Sequence, residues 1–170
     1  MNAQTNLQLY KQLIHLVWSD GDLAEVRAAY DLARELFAAS FRPSGKSFIA
    51  HLVGVASALA AWGEPKEQVI GGLLHSTYLY GDFGDNRRGV TPYKRALVRR
   101  RVGDTVEERI HSYTLTDGEP MFRDEGSEQK RDAQVIKIAD TYEEFVDGGP
   151  YYSPNKYLPG KLTFTGEGQE

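Results

Sequence analysis

Apolar positions along the chain recur at three- and four-residue spacing, the period of helices that bury one face. From Thr5 to Trp18, Leu9, Leu13, Ile14, Leu16 and Val17 fall mainly on one face. Ser19-Asp20-Gly21-Asp22 interrupts the pattern with residues suited to helix caps. Leu23, Val26, Tyr30, Leu32, Ala33, Leu36 and Phe37 then predict a second helix ending near Ser40. Pro43 biases Arg42 away from helical geometry, so Phe41 to Gly45 reads as a loop. Phe48, Ile49, Leu52, Val55, Ala56, Leu59 and Ala60 give a broad apolar face to a helix over 46–62.

A fourth helix over 66–78 follows Pro65 and contains Gly71-Gly72. Each glycine costs roughly 1 kcal/mol against alanine in a helix, so the pair predicts close backbone approach and a central position. Residues 81–89 read as a glycine- and charge-rich loop. Helices are expected over 92–101 and 104–113, split by Gly103. A polar loop over 116–128 leads to a last helix over 130–145, carrying Ala133, Val135, Ile136, Ile138, Ala139 and Tyr142. There is no repeat and no strand pattern. The fold class is therefore all-α: one helical domain over 1–147 and an extended C-terminal tail over 148–170. Tyr151, Tyr152, Tyr157, Leu158 and Phe164 carry enough apolar surface for part of the tail to dock on the bundle or on a partner subunit.

Composition narrows the class. A chain of 170 residues with 41% hydrophobic and 26% charged residues can build one ordinary core. A formal net charge of -4 argues against a large phosphate-backbone footprint, so no nucleic-acid partner is expected. The cluster Lys94, Arg95, Arg99, Arg100, Arg101 reads as a solvated helix face balanced by Glu107 and Glu108. With no cysteine, disulfides, thiolate metal sites and cysteine nucleophiles are excluded. The N-terminus lacks the pattern of a signal peptide, and no apolar run approaches the roughly 20 residues that span a bilayer. The expected location is cytoplasmic, with no membrane partner.

Of the four histidines, His15 reads as a packed or edge residue. His51, His75 and Asp140 each stand beside strongly apolar stretches of separate helices, where an unpaired charge is costly. Either each has a local partner or they satisfy one another; imidazoles and a carboxylate are also the ligands a divalent metal takes. Arg42 and Ser44 precede the His51 helix and suit an anionic group. The aromatics around His75, Tyr78 and Tyr80 among them, could line a small-molecule pocket.

The run Arg42-Pro43-Ser44-Gly45-Lys46-Ser47-Phe48-Ile49-Ala50-His51-Leu52-Val53-Gly54-Val55-Ala56 resembles the first ligand block of Rel/SpoT-type (p)ppGpp hydrolases. Gly72-Leu73-Leu74-His75 and Ile136-Lys137-Ile138-Ala139-Asp140 resemble the later blocks, in the same order. The resemblance spans roughly Tyr30 to Phe145. It implies an HD-type helical bundle in which His51, His75 and Asp140 match three metal ligands, and in which Arg42 and Ser44 lie in a substrate-contacting loop. Departures are specific. The His-Asp doublet is His75-Ser76, Leu79 and Tyr80 stand where the hydrolases place an acidic pair, and Glu144 replaces an asparagine.

The expected function is therefore a divergent HD-domain enzyme acting on a small anionic substrate, not an ordinary (p)ppGpp hydrolase. His51, His75, Asp140 and Ser76 form its expected catalytic group. A divalent metal (Mn, Fe or Zn) would sit on His51, His75 and Asp140, with Asp82, Asp85 or His111 as the replacement ligand. Two alternatives stand beside it: a metal-free site doing acid/base chemistry, and a hydrogen-bonded polar core in a non-catalytic binding or assembly protein. The sequence leaves the oligomeric state open, a homo-oligomer included.

Overall fold

The computed structural model describes residues 2–116 and 128–152, without the side chains of 128 and 129. In chain order the helices are α1 (Asn6–His15), α2 (Asp20–Phe37), α3 (Phe48–Ala61), α4 (Lys66–Leu74), α5 (Thr77–Tyr80), α6 (Pro92–Val102), α7 (Asp104–Thr116), α8 (Glu128–Val146) and α9 (Gly149–Tyr152). Among the described residues there is no strand, only one bridge between Phe41 and Ser47 that closes the 41–47 loop. The all-α expectation holds. No helix is long and apolar enough to cross a membrane among these residues.

Sequence chemistry sets the boundaries. The Ser19 hydroxyl accepts from the Asp22 amide while Asp22 reaches back to the Ser19 amide, a reciprocal cap that starts α2 at Asp20. The interruption expected over 19–22 is thus the cap and first turn of the helix. The Ser47 hydroxyl caps α3 through the Ala50 amide, and Thr91 caps α6 ahead of Pro92.

Two boundaries differ from expectation. The fourth helix stops at Leu74 instead of reaching Tyr78, and α5 restarts at Thr77. The His75 ring takes the Gly72 carbonyl at 2.7 Å, the acceptor that the Ser76 amide would need for the helix to continue. Beyond Asp147 the chain is not wholly extended, because Gly149–Tyr152 forms the short α9. Tyr151 and Tyr152 are exposed on it. Tyr157, Leu158 and Phe164 lie outside the described residues, as does most of the 116–128 loop.

The core is centred on α3 and α4. Every residue from His51 to Ala60 is buried, so α3 has no solvent face over that stretch. α4 packs against α3, α2, α7 and α8, while α7 and α8 pack on each other. The glycine pair explains how one short helix meets so many neighbours. A Cβ on Gly72 would collide with Leu59 Cδ1 of α3, and one on Gly71 would stand 3.3 Å from Ile136 Cδ1 of α8. Gly54 does the same on the other side of α3, where its bare Cα admits the Glu143 side chain of α8.

The basic helix α6 is tied down by acids. Glu107, fully buried, accepts from Tyr78 Oη at 2.8 Å, from Arg95 through both oxygens at 2.6 and 2.8 Å, and from Arg99 at 2.8 Å. Lys94 is not on a solvated face; it is buried against Phe83, with Asp85 at 3.1 Å and the Arg87 carbonyl at 2.5 Å.

Two measurements test this packing. Burial alone would raise the Glu107 carboxyl, but the hydrogen bonds from Arg95, Tyr78 and Arg99 hold it below its ordinary value. Its stabilisation is therefore complete above the unfolded carboxyl pKa of about 4.3 and is lost as pH falls through the lower, folded value. Glu107→Gln should cost roughly 3 kcal/mol at pH 7, and urea titrations should show the gap to wild type closing below about pH 4. Gly54→Ala places a Cβ 2.5 Å from Glu143 Oε1 and 2.7 Å from its Cγ. Alanine normally stabilises a helix interior; here overpacking should reverse the sign and leave a net loss of about 1–2 kcal/mol in the same titrations.

Candidate metal centre

Three helices deliver the three singled-out residues to one point. His51 lies one turn into α3, His75 caps the end of α4, and Asp140 lies in α8. Asp140 Oδ1 stands 3.1 Å from His51 Nε2 and 3.8 Å from His75 Nε2. One ligand atom from each residue lies within 4.8 Å of the other two. The two imidazoles meet edge to face with centroids 5.3 Å apart.

Each residue is held from behind by its other polar atom. His51 Nδ1 pairs with Glu143 Oε2 at 2.5 Å, and His75 Nδ1 donates to the Gly72 carbonyl at 2.7 Å. Tyr113 Oη donates to Asp140 Oδ2 at 3.0 Å. What remains facing inward is Nε2, Nε2 and Oδ1. Of these, His75 Nε2 and Asp140 Oδ1 are buried and make no hydrogen bond among the described residues. Buried acceptors are normally satisfied; an imidazole nitrogen with no hydrogen bond, next to a carboxylate oxygen that faces two imidazoles, each residue oriented by a partner on its far side, fits a cation's ligands.

Electrostatics divide the two imidazoles. Burial pushes His75 down to about 4, more than the nearby Asp140 raises it. It is therefore neutral at pH 7, and its Nδ1 proton is committed to Gly72. Burial would also lower His51, but the carboxylates of Asp140 and Glu143 reverse that and raise it. Asp140, which burial would raise, is held well below the carboxylate range by His51, His75 and Arg42.

His51 Nε2 is contested. Arg42 Nη1 lies 3.1 Å from it and, as a pure donor, needs the nitrogen lone pair. Asp140 Oδ1 at the same distance needs a proton there instead. A single atom cannot meet both demands, whichever tautomer is present.

The 41–47 loop and α8 close the site. Arg42 Nη2 pairs with Glu144 at 3.0 Å, and Lys46 contacts both Glu143 and Asp147. Beside this group lies a cavity of about 280 Å³ whose walls include Arg42, Ser44, Lys46, His51, Glu143 and Glu144. Asp140, Glu143, Glu144 and Asp147 outnumber the two fixed cations Arg42 and Lys46, so the group carries excess negative charge before the histidines are counted.

The expected residues divide clearly. His51, His75, Asp140 and Arg42 are brought together, and Ser44 lines the cavity. Ser76 is buried next to His75 at the head of α5. Tyr78 is turned elsewhere: its hydroxyl serves Glu107 and its ring stacks on Phe83. Tyr80 is half exposed, against Phe48 and beneath the Arg88 guanidinium. None of the expected replacement ligands joins the three. Asp82 accepts from the Gly84 amide, Asp85 from Arg87 while pairing with Lys94, and His111 stands 3.7 Å from Glu108. His15 is an exposed helix-end residue donating to the Lys11 carbonyl.

Sequence reasoning misses Glu143 and Lys46 as site residues; Tyr113, one of the aromatics it gathers around His75, does stack edge-on against that ring at 4.9 Å. Glu143, Glu144 and Asp147 follow Asp140 by three, four and seven positions, the spacing that places side chains on one helical face. That stripe is a readable signal. The hydrogen bond from Tyr113 to Asp140 has no such signal.

No curated protein matches the chain. Residues 32–118, just over half its length, match a family model described as Domain of unknown function (DUF6817). The match takes in Arg42, His51, His75 and Tyr113 and ends before α8. The chain belongs to the DUF6817 family.

Proposed function

We propose that this protein is a divergent HD-type domain that holds a divalent cation on His51, His75 and Asp140 and hydrolyses a small substrate bearing an anionic group. The observation that carries it is the set of three inward atoms converging on one point, each residue fixed by a hydrogen bond on its far side, with His75 Nε2 buried and without a hydrogen bond among the described residues. Two imidazoles and one carboxylate suit zinc, manganese or iron. A cation bound there supplies Lewis acidity to a substrate oxygen and lowers the pKa of water.

The protein's own residues would do the rest. Glu143 and the Gly72 carbonyl fix the two rings, and Tyr113 fixes the carboxylate plane. Arg42, Ser44 and Lys46 edge the cavity together with Glu143, Glu144 and Asp147; a guanidinium and an ammonium suit an oxyanion once a bound cation offsets those carboxylates. The volume of about 280 Å³ admits a small molecule. The absence of cysteine fits a reducing cytoplasm.

A metal-free alternative has one observation of its own. Glu143 on His51 Nδ1 at 2.5 Å is an oriented carboxylate–imidazole pair, suited to acid/base chemistry. Metal titration separates the two. Purified protein should bind close to one equivalent of zinc or manganese by calorimetry. Asp140→Asn should abolish binding, and Tyr113→Phe should weaken it roughly tenfold or more by releasing the carboxylate. No binding by wild-type protein would leave the acid/base alternative standing.

Ordinary alarmone hydrolysis is not expected. Ser76 lacks the charge of a carboxylate ligand, and Leu79 and Tyr80 offer no acid. The carboxylates that do reach the site are committed, Glu143 to His51 and Lys46 and Glu144 to Arg42. Loss of a general base costs on the order of a hundred- to ten-thousand-fold. Incubation of the protein with (p)ppGpp and manganese should therefore release no pyrophosphate above background; brisk turnover would place the protein among the ordinary hydrolases.

A further inference from the structure

Arg42 brings a cation to the place where another would have to enter. Its Nη1 is 3.1 Å from His51 Nε2 and 3.9 Å from Asp140 Oδ1, two of the three atoms of the candidate centre. Nη2 is anchored on Glu144, and the side chain is only 9% exposed. Its backbone is fixed as well. The Arg42 amide donates to the Lys46 carbonyl at 2.8 Å, and the Arg42 carbonyl accepts from Gly45 at 2.9 Å. Only side-chain torsions are left to move the guanidinium.

Both claimants need the same electron pair. The guanidinium has donors only, so it can hydrogen-bond Nε2 only in the tautomer that leaves the imidazole lone pair there. A metal bonded to His51 through Nε2 uses that lone pair too, at about 2.0–2.1 Å for zinc. The other ring nitrogen offers no escape, because Nδ1 faces Glu143. The two occupancies exclude each other.

Resting on the cation-binding reading of the site, we propose that Arg42 is its built-in competitor: guanidinium and divalent metal take His51 Nε2 in turn, and a cation enters only by displacing Arg42. This makes Arg42 a residue that selects among cations. Zinc binds imidazole well enough to compete and manganese less so, whereas magnesium and calcium, which prefer oxygen, gain little from a nitrogen lone pair. The displaced guanidinium remains within reach of Glu144 at the cavity wall.

Calorimetric titration of the full chain with zinc and manganese tests this on wild type, Arg42→Gln and Lys46→Gln. Lys46 is the control for charge, since its replacement removes the same charge from the same group while its own contacts are with Glu143 and Asp147 and none is with His51 Nε2. Arg42→Gln should bind metal about tenfold tighter, within the usual range for coupled sites, and Lys46→Gln should gain roughly threefold or less. Equal gains in the two variants, or equal affinity of Arg42→Gln and wild type, would overturn the competition while leaving the metal site intact. Failure of both wild type and Arg42→Gln to bind would overturn the cation-binding reading and the competition with it. Should Arg42→Gln not fold, arginine Nε–Hε resonances of the wild type supply the readout. One buried signal should shift with one equivalent of zinc, and an unchanged spectrum with metal bound would refute displacement.

Discussion

A carboxylate carried into a largely buried junction of helices needs positive or donating partners, and Asp140 imposes that demand here. Its Oδ2 receives the Tyr113 hydroxyl, while Oδ1 faces two imidazole nitrogens and the edge of a guanidinium. Loss of such partners would leave a buried charge at a cost of several kcal/mol. The positions of α3, α4, α7 and the 41–47 loop around α8 are those that satisfy it. The polar site and the helical packing are therefore one construction.

Small residues make that construction possible. Two glycines stand where side chains of neighbouring helices or of the same core approach too closely for a Cβ, Gly72 toward α3 and Gly54 beneath Glu143, and at Gly71 a Cβ would be tight against α7 and α8. Glu143 in turn orients His51. The absence of one methyl group in α3 thus governs whether a carboxylate on α8 can reach an imidazole on α3. Packing and acid–base orientation meet at Gly54.

The helices were legible because burial imposes their period and because caps are local chemistry. Gly71-Gly72 announced a central helix for the same reason. His51, His75 and Asp140 stood out as titratable groups beside apolar stretches, and the structure brings all three together. Sequence spacing did not reveal where α4 would end, since the break depends on the His75 ring capturing a carbonyl three residues back. Nor did it reveal Tyr78's destination: an aromatic near a site in sequence can turn to another helix, and this one serves Glu107. Tyr113 reaches Asp140 only through the packing of α7 on α8.

The two sides of the site differ in charge. The segment matched by the family model supplies the imidazoles, the tyrosine hydroxyl and both fixed cations, Arg42 and Lys46. The four carboxylates, Asp140, Glu143, Glu144 and Asp147, come from α8 and the residue following it. Docking an anionic helical stripe into a basic, imidazole-bearing cradle favours one register, because sliding α8 by a turn would exchange partners for every charge at once. The pairing is still incomplete, since His75 Nε2 and Asp140 Oδ1 remain without hydrogen bonds among the described residues and negative charge is in excess. A fold that needed only neutralisation would have gained by pairing these two atoms or replacing them with apolar groups. Keeping His75 Nε2 oriented and without a hydrogen bond beside a carboxylate oxygen costs stability, and a bound cation is the kind of partner that would offset it.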